Sequence, residues 1–176
     1  MSRLIALTGY AGSGKSTVAR HLVEAHGFTL VKFAGPLKAM MRCLGLGDRE
    51  IEGDLKEQSH PVLCGKSPRH AMQTLGSEWG RETIGSQLWV NVAVESTLAA
   101  LDSGGSVVID DCRFENECAA VRGLSGEVIQ ITRPGVGRVN EHPSENLPMP
   151  TWHWLNDGTE DDLRAMVTSY IISRSL

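Results

Sequence analysis

Eight residues near the start of the chain restrict its fold more than any other stretch. Gly9-Tyr10-Ala11-Gly12-Ser13-Gly14-Lys15-Ser16 fits G-x-x-x-x-G-K-[ST] at every fixed position. An apolar run over 3–8 precedes it and reads as a buried strand. Residues 16–26 follow, with Val18, Ala19, Leu22 and Val23 at helical spacing until Gly27 stops them. Glycines let a backbone fold tightly around an anion with its N–H groups inward, and the helix that begins here turns its positive end to the same point. Gly12, Ser13, Gly14, Lys15, Ser16 and Thr17 are therefore the expected phosphate contacts. Lys15 can reach a terminal phosphate as a point charge, and the Ser16 hydroxyl suits Mg²⁺. A glycine-rich turn could match by chance, but the strand–loop–helix context argues against that.

The rest of the chain continues the pattern. Residues 28–33 read as a second strand, and Pro36 opens a helix to about residue 44. Residues 45–66 are polar and charged and read as a loop or mobile insertion. Ser67-Pro68 should cap and open a helix to about Trp79, with Arg81 beyond it in a glycine-flanked loop. A helix over 88–101, a strand over 106–110, a helix over 115–123 and a strand over 127–132 follow. Residues 133–150 hold four prolines and two glycines and exclude regular structure. A short strand over 151–155 and a helix from Thr159 to about Ser173 close the series. Strands alternating with helices imply an α/β fold of three layers, a parallel sheet of about five strands covered on both faces. At 176 residues the chain is expected to form one domain, with 34–88 and 133–150 as appended functional segments.

Composition narrows the partners. A net charge of −4 leaves no basic footprint for duplex nucleic acid, so anion binding must be local. The apolar run over 4–7 is too short for a signal peptide or a membrane span, which points to a cytoplasmic protein with no membrane partner. Cys43, Cys64, Cys112 and Cys118 form no C-x-x-C pair and read as reduced thiols. A zinc site using Cys64 with His60 or His70 fits no standard spacing. A homodimer is compatible with the sequence.

A nucleotide-binding loop in so short a chain suggests a phosphotransferase. The N-K-x-D segment of a GTPase is absent. A carboxylate should close the buried strand over 106–110, and Asp110 and Asp111 both qualify. An acceptor anion could meet Lys38 at the start of the second helix. Arg69 and Gln73 lie one turn apart, so a guanidinium could grip a phosphate while the amide pairs with a base edge. Arg81 and Arg113 complete that set. Each arginine taken singly could be an ordinary solvated side chain, but strand ends and helix starts are where open α/β sheets bind ligands.

The ordered set resembles the phage-type deoxynucleoside monophosphate kinases within the adenylate-kinase-like P-loop family. It runs through 9–16, Ala34-Gly35-Pro36-Leu37-Lys38, Arg69-His70-Ala71-Met72-Gln73-Thr74-Leu75-Gly76, Trp89-Val90, Asp111-Cys112-Arg113, Arg133-Pro134-Gly135 and Asn156-Asp157-Gly158. Residues 45–66 match nothing in that pattern. The resemblance implies ATP as phosphoryl donor with Mg²⁺, held by Lys15, Ser16 and Asp111, and a nucleoside monophosphate as acceptor. It places Lys38, Arg69, Gln73 and Arg113 on the acceptor side, and Arg133 and Arg138 in a lid over 133–150. It puts Asn156 and Gly158 beside the adenine ring. His142 would also fall in that lid, where a solvent-facing role is the simpler one. A kinase of another small metabolite, such as dephospho-coenzyme A, or a regulatory module that binds ATP without turnover, stays open at this point.

Overall fold

The structure, a computed structural model, describes residues 2–137 and 147–174. Five strands carry it: β1 (Leu4–Thr8), β2 (Phe28–Val31), β3 (Ser106–Ile109), β4 (Glu127–Thr132) and β5 (Trp152–Leu155). The helices are α1 (Lys15–His26), α2 (Gly35–Cys43), the single turn α3 (Asp48–Ile51), α4 (Pro68–Thr74), α5 (Leu88–Asp102), α6 (Glu115–Gly123) and α7 (Glu160–Ser173). The chain divides into two compact units, Met1–Lys32 with Ala93–Leu176, and Phe33–Val92.

The first unit is the expected parallel sheet, with strand order β2-β3-β1-β4-β5. Every residue of β1 is buried, as a central strand covered on both faces requires. Alternation sends Ile5 and Leu7 to one face, where they meet Val18 and Leu22 of α1 and Leu163 and Val167 of α7. Leu4 faces the other side, toward Val121 of α6. That seam is tight, since a Cβ on Gly126 would lie 2.7 Å from Leu4 Cγ and 2.8 Å from Val121 Cγ1. Burying each such aliphatic side chain contributes about 1.5–3 kcal/mol. Gly27 closes α1 in the left-handed conformation, and Thr159 caps α7 in a reciprocal box with Asp162. Because all pairings are parallel, the ends of β1, β2, β3, β4 and β5 open on one edge.

The second unit is helical, with a core of Leu37, Met41, Leu46, Ile51, Met72 and Trp89. Here the structure corrects three expectations. Residues 45–66 are not merely a loop. They form α3 and a 3₁₀ turn (Pro61–Leu63), and they bury Leu46 and Ile51 within a largely polar stretch. The helix opened by Ser67, whose side chain accepts from the His70 N–H, does not end near Trp79. It runs on as a π-helix (Leu75–Ile84), so Arg81 lies in a helical segment and not in a loop. The packing of Trp89 accounts for this. Its indole Nε1 donates to the Gly76 carbonyl at 2.9 Å, and a Cβ on Gly80 would sit 2.4 Å from the same nitrogen. Gly80 is thus a close-approach residue, not a helix stop. Among the described residues, no helix is long and apolar enough to cross a membrane.

Candidate functional site

In the first unit, the loop after β1 closes by a Ser13 N–H bond to the Tyr10 carbonyl, 3.2 Å. Gly9, Gly12 and Gly14 hold positive φ values of 137°, 82° and 111°. Gly9 could take no side chain, because a Cβ there would lie 2.4 Å from the Ile131 carbonyl of β4. Lys15 Nζ donates to the Gly9 and Tyr10 carbonyls at 2.6 and 2.8 Å, so the ammonium folds back across its own loop. Gly12 and Ser16 reach solvent, while Ser13 is buried.

The other strand ends deliver their residues to this edge. Lys32 follows β2 and pairs with Asp110 Oδ2, just after β3, at 3.2 Å. Asp110 Oδ1 is buried without a hydrogen-bond donor, as are the Thr8 and Ser13 hydroxyls. Orphaned buried oxygens of this kind are costly unless a ligand satisfies them. Asp111 is half-buried and Arg113 exposed. Carboxylates at the end of β3 and the Ser16 hydroxyl are hard oxygen donors, a set that fits Mg²⁺.

The turn bearing Asp111 and Arg113 is fixed by a group the sequence did not single out. Glu117 on α6 is 2% exposed, and its Oε2 accepts from the backbone N–H groups of Arg113 and Phe114 at 2.7 and 3.0 Å. The sequence signal was there, a glutamate at the third position of the helix, but such a cap looks the same wherever it occurs. Cys112 and Cys118 bury their sulfurs 3.0 Å apart behind the same turn. The hydrogen bond to Cys118, then burial, holds the Cys112 thiol well above its ordinary range. Cys43 and Cys64 are exposed.

Arg133 follows β4 and is exposed. Its carbonyl accepts from the Val136 N–H at 3.1 Å, and Val136 Cγ2 lies 4.0 Å from where a Cβ on Gly12 would stand. Arg138, His142 and the middle half of the expected lid lie outside the described residues. Asn156 follows β5, and its backbone N–H donates to the Thr132 carbonyl at 2.8 Å. Its side chain is buried and donates from Nδ2 to the Ser13 carbonyl at 2.9 Å. Gly158 is exposed at the approach to α7.

In the second unit, Lys38 is paired with Glu52 at 2.7 Å, and Arg69 with Glu57. Both acids come from 45–66. A groove of about 540 Å³ lies against α2, α4 and the π-helix, lined in part by Met41, Leu44, Leu75, Trp79 and Thr83. Neither Arg69 nor Gln73 lines it.

Comparison with known proteins gives a consistent picture. The family description deoxynucleotide monophosphate kinase matches residues 56–165. A protein of Acanthamoeba polyphaga mimivirus, provisionally named a deoxynucleotide monophosphate kinase, is 33% identical over 159 residues, covering 81% of this chain and 80% of that protein. Among solved structures, shikimate kinase from Aquifex aeolicus superposes with a TM-score of 0.53 at 12% identity, covering 98% of each chain. Dephospho-CoA kinase from Campylobacter jejuni does so at 0.51 and 13% identity, over 98% of this chain and 97% of that one. At such identities the structural likeness speaks for the fold alone.

Proposed function

The chain belongs to the deoxynucleotide monophosphate kinase family, and on that premise we propose how its residues divide the work. The reaction is phosphoryl transfer to a nucleoside monophosphate, giving the diphosphate. The observation that carries the assignment of roles is the phosphate loop on the edge where Asp110, Asp111, Arg113, Arg133 and Asn156 also emerge.

The acceptor oxygen belongs to a phosphate that is ionised near neutral pH, so no side chain need remove a proton. What opposes reaction is the repulsion of two polyanions. ATP is the donor, its phosphates held by the N–H groups of 12–17, with Lys15 leaving the Gly9 and Tyr10 carbonyls to meet them. Mg²⁺ would be held by Ser16 and Asp111 and would neutralise charge on the donor phosphates. Arg113, kept in place through Glu117, and Arg133 add positive charge where negative charge develops on the transferring group. Lys38, Arg69, Gln73 and Arg81 belong to the acceptor. Glu52 and Glu57 hold the first two cations until an acceptor phosphate displaces them.

The test is ADP release with a panel of nucleoside and deoxynucleoside monophosphates, dephospho-coenzyme A included. Turnover with one or more deoxynucleoside monophosphates is expected. Turnover with dephospho-coenzyme A alone would overturn the acceptor assignment.

A further inference from the structure

Asn156 is 5% exposed and its side-chain Nδ2 donates to the carbonyl of Ser13, 143 positions away. Its own backbone N–H is tied to Thr132, which continues the β4–β5 ladder one residue past the strand. The amide is thus mounted on the sheet. In a trans peptide the C=O and the following N–H point in opposite directions. With the Ser13 carbonyl turned inward to Asn156, the Gly14 N–H is turned away from it. Gly14 holds φ at 111°, and a Cβ there would stand 2.6 Å from Asn156 Nδ2 and 3.0 Å from Leu163 Cδ2. The contact with Asn156 therefore also explains why position 14 is glycine.

We propose that Asn156 is a positioning residue for the phosphate loop, fixing the Ser13–Gly14 peptide so that the Gly14 N–H faces the donor phosphates, and that it does not read the donor base. This rests on the assignment of residues 9–16 as the phosphate cradle. The role expected from the resemblance, packing beside adenine, leaves a different signature. A brace acts on any polyphosphate, whereas a base contact acts only on a ligand that has a base.

The experiment compares binding of inorganic tripolyphosphate, ATP and GTP to the full chain, by calorimetry, in wild type, Lys15→Ala, Asn156→Asp and Asn156→Ala. Asn156→Asp keeps the shape and replaces the donor with an acceptor facing a carbonyl. Its affinity for all three ligands is expected to fall by a similar factor, about tenfold, in a protein that is still folded but melts at a lower temperature than wild type, with the acceptor KM unchanged. Unchanged tripolyphosphate binding with an altered ATP-to-GTP ratio would overturn the proposal and assign Asn156 to the base. If wild type binds no tripolyphosphate, or Lys15→Ala binds it equally well, the cradle assignment fails and the proposal falls with it, an outcome distinct from the first. Should Asn156→Asp not fold, Asn156→Ala is read in its place. Failure of both to fold would make the residue a fold determinant and overturn the proposal.

Discussion

At the scale of single residues, the ammonium of Lys15 donates to two carbonyls of its own loop. Losing these bonds in Lys15→Ala should cost about 1–3 kcal/mol of stability, while removing the lysine's positive charge from beside the transferring phosphoryl group should lower kcat/KM by at least about a hundredfold. A folded variant with wild-type turnover would remove Lys15 from the mechanism. A second residue bears on pH. The Nε2 atoms of His26 and His21 both meet the Thr168 hydroxyl, at 3.3 and 2.8 Å, at the α1–α7 seam. Burial, then the nearby His21, lowers the His26 pKa from its ordinary 6.5. The native state thus takes up this proton less readily than the unfolded chain. Stability should fall as the pH drops below about 6.5, with the loss complete below the lowered native value. Melting curves of wild type and His26→Gln between about pH 7.5 and 5.5 should show a smaller decline in the variant. Equal declines would show that His26 does not couple protonation to folding.

At the scale of elements, the π-helix and the segment over 45–66 are where the structure departs from local reading. The π-helix is shaped by one aromatic ring. Gly80→Ala would drive a methyl group into Trp89, whose nitrogen is engaged by Gly76. A loss of about 1–3 kcal/mol is expected from chemical denaturation, and none if the ring can step aside. The 45–66 segment supplies the acids that pair with Lys38 and Arg69. Glu57 and Arg69 are 64% and 44% exposed, so their pair is worth roughly 0.2–1 kcal/mol. Glu57→Gln should free Arg69 and lower the acceptor KM by at most about fivefold, leaving the ATP KM in place. A rise in acceptor KM would mean that Glu57 holds Arg69 ready and does not compete with the phosphate.

At the scale of the whole molecule, two compact units divide the candidate residues. The donor set sits in the first, and Lys38, Arg69, Gln73 and Arg81 sit in Phe33–Val92. Arg69→Ala should weaken the acceptor phosphate for every base, and Gln73→Ala should change the preference among bases. Both should leave the ATP KM unaltered, as steady-state kinetics with each substrate varied will show. A raised ATP KM at fixed acceptor KM would mean the two roles are exchanged. The sequence by itself determined the phosphate loop, the spans of α6 and β4, and the alternation that makes a parallel sheet. These are properties of residues close in the chain, where glycine, proline and hydrophobic period act directly on the backbone. Only the tertiary structure decided the strand order β2-β3-β1-β4-β5, the acids that face Lys38 and Arg69, and the run of the π-helix past Trp79. Only it placed the Asn156 amide on the Ser13 carbonyl. Those outcomes depend on which surfaces meet when the core closes, whether the partners are 12 positions apart, as Arg69 and Glu57 are, or 143, as Asn156 and Ser13 are, and a pattern of neighbouring residues does not encode that meeting.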